Sequence, residues 1–282
     1  ERVPGGRGGR RGSRGGFCAG WRILRWSRRG GGFRAHWRPD RAVAAGARVT
    51  SAKAPSHCAA LPVLLVHGAW TGAWVWKPVQ RHLRRMGIES ATVSLPSQIQ
   101  VSAALAADVA AIEDGLAAIG RPTLVVAHSY AGVPVSQVSA SNPLTVRLIF
   151  ISAAMADVGE STLSLLASDP DPSRWLRFLT GTRFGTRLLD LAGIRATIRR
   201  RRDVRDEVFV LAASPSAAGW RRVPSTYVVL TRDLLFSAAL QRRLARRATE
   251  TVEVAGHHVA VWFKARTIAT LIAERARNGG DI

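Results

Sequence analysis

Ser129 sits in the run Val125-Val126-Ala127-His128-Ser129-Tyr130-Ala131-Gly132, where β-branched residues give way to a serine between small neighbours. The pattern predicts a sharp strand-to-helix turn holding the serine at strained φ/ψ, so the residues two before and two after it must be small for strand and helix to pack. Ala127 and Ala131 meet that need in the loose form small-x-Ser-x-small. A serine hydroxyl is a poor nucleophile at neutral pH; it needs a base within hydrogen-bond reach and an acid to orient that base. Downstream, Asp233 follows the apolar run Thr226 to Leu230, and Gly256-His257-His258 follows Glu250 to Val254. A serine, an acid and a histidine in that order, each just past a strand, suit acyl transfer.

The elements that must position these residues alternate strand, loop and helix from Leu61 onward. Leu61 to Val66 is an unbroken apolar run, as expected of a strand buried on both faces of a parallel sheet. His67 to Gly72 forms a loop into a helix near Trp74 to Met86, which Gly87 ends. Ile88 to Leu95 reads as a strand, Ala103 to Ile119 as a helix stopped by Gly120-Arg121-Pro122, and Thr123 to Ala127 as the strand entering the turn at Ser129. The helix after that turn runs to about Ala140, and Val146 to Ser152 is a further strand. Thr226 to Leu230 and Glu250 to Val254 are the last strands, with helices at Ser237 to Arg247 and Ala260 to Ala276. This order predicts an α/β fold, a mostly parallel sheet flanked by helices. Residues from about Asp157 to Pro224 break the rhythm and are expected to form an inserted helical cap over the strand ends.

Composition narrows the function classes. The chain has 282 residues, 47% of them hydrophobic, enough for one substantial core. No apolar run approaches the eighteen or so residues of a membrane span, so a soluble, cytoplasmic protein without a membrane partner is expected. Cys18 and Cys58 supply neither a disulfide framework nor a metal cluster, and no His-Glu-x-x-His is present, so neither metal nor cofactor is expected. The net charge of +22 is concentrated at one end: thirteen Arg and one Lys face only Glu1 and Asp40 in residues 1–60. Residues 1–58 are Gly- and Arg-rich without an apolar period and are expected to be disordered, with residues 59–282 as the folded domain. The tail resembles an RGG-type RNA-binding segment, with Trp21, Trp26 and Trp37 able to stack on bases. The simpler expectations are a fragment, a processed product or a reading frame extended upstream of its real start; a start at Val49 is one form of the last, and mass spectrometry of the natural N-terminus tests it. Nucleic acid is therefore not an expected partner of the folded domain.

From about Leu61 to its end the chain resembles the α/β-hydrolase superfamily, and within it the small-esterase branch that includes plant methylesterases and hydroxynitrile lyases. The likeness rests on Val63-Leu64-Leu65-Val66-His67-Gly68-Ala69-Trp70, the Ala127 to Gly132 turn, Thr226 to Asp233, and Val254-Ala255-Gly256-His257. It implies that Ser129 attacks a carbonyl, His257 moves the proton and Asp233 holds the imidazole. It also implies an oxyanion hole from the backbone N–H groups of Ala69 and Tyr130. His257 fits the commoner Gly-His pattern, whereas counting back from the final helix favours His258; His257 is the preferred base. The lyases have Glu before the nucleophile and Lys after the histidine, where this chain has His128 and His258, which favours ester hydrolysis.

Plainer roles compete at several positions. Asp233 also suits a helix N-terminus, and Asp157 is its rival as the acid. His67 is read as bracing the oxyanion loop, His128 as packing beside the turn, Trp70, Trp74 and Trp76 as core and pocket wall, and Arg199 to Arg202 as a solvated helix face. The sequence thus predicts a serine esterase acting on a small carboxylic ester, its choice of ester lying with the cap, whose Leu163, Leu165, Leu166, Trp175, Leu176 and Phe178 suggest a hydrophobic acyl or aromatic group. The rivals are a non-hydrolytic member, lyase or ligand receptor, and an RNA-associated protein acting through its tail. Deleting residues 1–58 separates the last from the first.

Overall fold

Six short strands, the central ones rich in Val, Leu and Ile, build the sheet that carries everything else. The computed structural model describes residues 26–29, 32–35, 60–98, 105–171 and 210–278. β1 (Trp26–Arg29) and β2 (Gly32–Ala35) pair antiparallel as a separate two-stranded ribbon. The main sheet comprises β3 (Val63–Val66), β4 (Ser90–Val93), β5 (Thr123–His128), β6 (Thr145–Ile151), β7 (Ser225–Leu230) and β8 (Glu250–Val254). Its order is β4-β3-β5-β6-β7-β8, and every neighbouring pair is parallel.

Parallel strands need crossovers, and helices on both faces supply them. The side-chain period of two divides each central strand between two cores. Leu64, Val66, Val125, Ala127, Leu148, Phe150, Tyr227 and Val229 face one side, where α2 (Leu105–Ile119), α3 (Gly132–Val138) and α5 (Ala238–Ala245) add Ile112, Leu116, Val135, Leu240 and Leu244. Val63, Leu65, Leu124, Val126, Ile149, Ile151, Val228 and Leu230 face the other. There α1 (Lys77–Arg85), α6 (Ala260–Phe263) and α7 (Ala265–Arg277) contribute Val79, Leu83, Val261, Ile268 and Ile272. Each such aliphatic side chain taken out of water contributes roughly 1.5–3 kcal/mol, which is why the central strands read as continuous apolar runs.

Several element limits differ from the sequence reading for local reasons. Ala73–Trp76 is a 3₁₀ turn, and the α-helix starts only at Lys77, next to Pro78, a residue tolerated where the N–H would be unpaired anyway. The expected closing helix is two, broken at Lys264. Ser237 is the N-cap of α5, accepting from the Leu240 N–H at 3.0 Å. Within the expected cap, α4 (Thr162–Ala167) opens with a capping box between Ser161 and Ser164, and a 3₁₀ turn covers Gly219–Arg221. Leu165 and Leu166, expected to line the cap, pack into the main core instead. Trp175, Leu176, Phe178 and Arg199 to Arg202 lie outside the described residues, as do Cys18, Cys58 and most of residues 1–58. Among the described residues no helix is long and apolar enough to cross a membrane.

Candidate active site

In an open parallel sheet the strand order reverses beside the first strand, and the loops leaving the two strands there diverge into a crevice. Here the reversal lies between β3 and β5. Their C-terminal ends carry His67-Gly68-Ala69-Trp70 and His128-Ser129-Tyr130. β5 is still extended at His128, with φ −115° and ψ 130°, and then Ser129 takes φ +58° before the chain winds through Ser129–Ala131 into α3. That left-handed conformation costs a serine roughly 1–2 kcal/mol, and it lifts the hydroxyl off the strand end. Two glycines let other backbone approach the turn. A Cβ on Gly68 would fall 2.6 Å from Ser129 Cβ, and one on Gly132 would fall 2.3 Å from the Ala154 carbonyl oxygen. The small-residue requirement is therefore sharpest at Gly132, one position beyond Ala131.

Three strand ends converge on this serine. His258 Nε2 lies 2.9 Å from Ser129 Oγ, and His258 Nδ1 lies 2.7 Å from Asp233 Oδ2. A carboxylate only accepts, so Nδ1 carries the proton and Nε2 is the acceptor for the Ser129 hydroxyl; the tautomer follows from the partners. The sequence reading preferred His257, and this is corrected: the ring between Ser129 and Asp233 belongs to His258. The loop after β8 explains the register. Gly256 O accepts the Arg232 N–H at 3.0 Å, His257 O accepts the Ala260 N–H at 2.8 Å at the start of α6, and His258 O accepts His128 Nε2–H at 2.8 Å. With the loop pinned at those three carbonyls, residue 258 faces the serine and its neighbour does not.

Asp233 is wholly buried, and four donors surround it: the Leu235 and Phe236 N–H groups on Oδ1 at 2.7 and 3.1 Å, and Ser152 Oγ at 2.6 Å with His258 Nδ1 at 2.7 Å on Oδ2. Burial alone raises such a carboxyl. The positive charge available on His258 and the bonds from His258, Ser152 and Leu235 outweigh it, leaving Asp233 below the ordinary carboxylate range. Asp157, the rival acid, instead pairs with Arg221 and accepts the Val158 N–H.

His128 is buried with its ring centroid 4.9 Å from that of His258 and edge-on to Trp76 at 6.3 Å. Burial, then repulsion from His258, push it down to about 3, so it stays a neutral donor at working pH. His67 ties the loop after β3 to its own Gly68 carbonyl and to Leu95. Gly68 O accepts both His67 Nδ1–H and Thr71 Oγ–H at 2.9 Å, while His67 Nε2 accepts the Leu95 N–H at 3.1 Å. A trans peptide points its C=O and N–H in opposite directions, so two donors on Gly68 O also fix the direction of the Ala69 N–H. Trp70, at φ +60°, donates its N–H to Gln98 Oε1 at 2.8 Å.

Gln98 belongs to a buried chain that sequence reasoning missed. Gln98 Nε2 donates to Ser97 Oγ at 3.0 Å, Ser97 donates N–H and Oγ–H to Asp108 at 2.9 and 2.6 Å, and Tyr130 Oη donates to Asp108 Oδ2 at 2.8 Å. The chain joins the loop after β3 to the residue after Ser129. A signal existed: the buried stripe of α2 is Asp108, Ala111, Ile112, Gly115 and Leu116, so a carboxylate opens an apolar face at helical spacing. Of Trp70, Trp74 and Trp76, the last is wholly buried, Trp74 is edge-on to Trp262 at 5.8 Å, and Trp70 is partly buried and packs against the core. Among the described residues no group of three or more His, Cys, Asp or Glu could hold a metal ion.

A doubly wound parallel sheet with a strained serine turn at its switch point is the architecture of the α/β-hydrolases. The chain belongs to the alpha/beta hydrolase family, whose model matches residues 63–270. No curated protein matches it. Solved structures share its fold: polyneuridine aldehyde esterase at TM-score 0.63 and 15% identity, over 77% of this chain and 99% of that one. A pyrethroid hydrolase from Sphingobium faniae JZ-2 superposes at 0.61 and 15% identity, over 77% and 97%. An extracellular α/β-hydrolase from a Paenibacillus species, described as sharing structural and functional homology with tobacco salicylic acid binding protein 2, gives 0.54 and 17%, over 76% and 98%.

Proposed function

We propose that this protein is a cofactor-independent serine esterase that cleaves small carboxylic esters through an acyl-enzyme. The observation that carries the reading is the continuous hydrogen-bonded run from Ser129 Oγ through His258 to Asp233 on a strained turn. His258 Nε2 takes the Ser129 proton as Oγ attacks the ester carbonyl. Buried Asp233 stabilises the imidazolium that forms, and the backbone N–H groups of Ala69 and Tyr130 receive the developing oxyanion. The imidazolium then protonates the departing alcohol. Water, activated by the same nitrogen, releases the acid and restores Ser129. The positions flanking the reacting groups, His128 before the serine and Val259 after His258, are neither the Glu nor the Lys associated with the lyases. Two structural neighbours of the same fold are described as an esterase and a pyrethroid hydrolase, in keeping with an ester substrate. In this reading residues 59–282 form the catalytic domain, with a cap over about 157–224, and residues 1–58 take no part.

The test is hydrolysis of p-nitrophenyl acetate and butyrate by the full chain beside Ser129→Ala, with a fluorophosphonate probe on both. Turnover and labelling in the parent that vanish in the variant are expected. A folded parent with neither refutes the proposal.

A further inference from the structure

β6 ends at Ile151, and the residue after it leaves the sheet in an unusual conformation. The Ser152 N–H still donates to Val228 O at 3.0 Å, so its backbone is held by β7, yet its φ is +41°. A non-glycine residue in that region is strained, and such strain persists only where the surroundings over-determine it. The next residues are equally engaged: Ala153 O accepts Tyr227 Oη–H at 2.9 Å, and the Ala154 N–H donates to Ser129 O at 2.9 Å. The turn after β6 thus touches both the nucleophile's backbone and the acid's side chain.

The Ser152 side chain is wholly buried, with Oγ 2.6 Å from Asp233 Oδ2 and 3.5 Å from His258 Nδ1. The shorter distance identifies the hydroxyl as a donor to the carboxylate. Oδ2 therefore takes two donors from two directions, one from the turn after β6 and one from the loop after β8. We propose that Ser152 is a fourth, positioning residue of the site: its hydroxyl holds Oδ2 so that the remaining acceptor direction meets the His258 Nδ1–H. The inference rests on the reading of Ser129, His258 and Asp233 as the reacting set.

A donor on Oδ2 also spreads the carboxylate charge and weakens its pull on the imidazole proton. Without it the carboxylate charge on Oδ2 falls undivided on the Nδ1–H, and the bond between Asp233 and His258 changes. Among the described residues the titratable groups facing Asp233 are His258, His128 from β5 and Tyr227 from β7; His128 stays neutral and Tyr227 keeps its proton, so the change falls on the bond between Asp233 and His258. A purely structural serine, filling a lone pair of a buried acid, would alter thermal stability and leave the pH profile in place.

The experiment compares the full chain with Ser152→Ala, Ser152→Gly and Ser152→Cys. It measures kcat and KM on p-nitrophenyl acetate from pH 5 to 9, fluorophosphonate labelling rates and melting temperatures. In the alanine and glycine variants the acid limb of kcat/KM is expected to move up by about half a pH unit or more. Their plateau kcat is expected to fall roughly three- to tenfold with KM within about twofold, and cysteine, a weaker donor, to lie between. Glycine adopts φ +41° without strain, so agreement of alanine and glycine assigns the effect to the hydroxyl. A loss in alanine that glycine restores assigns it to the backbone and overturns the inference. Unchanged pH profiles and kcat, whatever the melting temperatures, also overturn it. A parent enzyme that neither turns over nor labels overturns the underlying reading, and this inference with it.

Discussion

Asp233 and Asp108 are both wholly buried and both accept several short hydrogen bonds, yet the protein holds their protons in opposite ways. At Asp108 burial dominates, and the Ser97 and Tyr130 bonds only partly offset it, so its carboxyl stays above the ordinary range. At Asp233 the same penalty is outweighed by His258 and the donors around it. Hydrogen bonds from neutral donors lower both carboxyls, and at Asp233 the positive charge His258 can carry adds to them and tips the balance against burial. Asp233 is thereby equipped to stabilise an imidazolium as it forms. Asp108 is equipped to hold Tyr130 and, through Ser97 and Gln98, Trp70.

Breaking each carboxylate in turn separates these roles. Asp233→Asn and His258→Ala are each expected to lower kcat roughly 10³- to 10⁴-fold with folding retained, measured by steady-state ester hydrolysis and circular dichroism. Asp108→Asn should lower kcat only about tenfold, through a loosened Tyr130, while costing about 1–3 kcal/mol of stability in urea denaturation. An Asp108 variant as inactive as the Asp233 variant would erase the distinction.

Acid titration of stability sharpens the contrast, because the two signs differ. Asp233, held below its ordinary value of 3.8, contributes stability that is present above that pH and lost as pH falls through its folded value. Asp108, held above 3.8, burdens the folded state when ionised, and that burden is relieved as pH falls through its folded value toward 3.8. The stability difference between parent and Asp108→Asn should therefore shift in the parent's favour on mild acidification, while that for Asp233→Asn shifts against the parent below 3.8. Parallel slopes in pH-resolved urea melts would contradict both assignments. The smallest effect belongs to His257→Ala, expected within about threefold of the parent in kcat/KM because its ring lies outside the run from Ser129 to Asp233.

Much of the scaffold was legible because the central strands are buried on both faces and so read as unbroken apolar runs. The turn at Ser129 was legible from small neighbours after a β-branched run, and Asp233 from its place after β7. Ser152 and Gln98 were not, since a serine past a strand and a glutamine in a loop have no distinctive pattern until another chain segment supplies the partner. Asp108 left a trace, a carboxylate heading the apolar stripe of α2, and its donors come from a separate loop and from the residue after the nucleophile.

The adjacent histidines mark the boundary most clearly. Sequence alone established that a histidine follows the last strand, that an acid follows the one before it, and that a serine occupies a sharp turn, because local propensity and period determine where strands end. Which ring meets the serine was decided by tertiary contacts: the bonds at Gly256 O, His257 O and His258 O come from Arg232 in the turn after β7, from α6 and from His128. One residue of register turns a side chain to a different side of a loop. Only the packed structure holds that register.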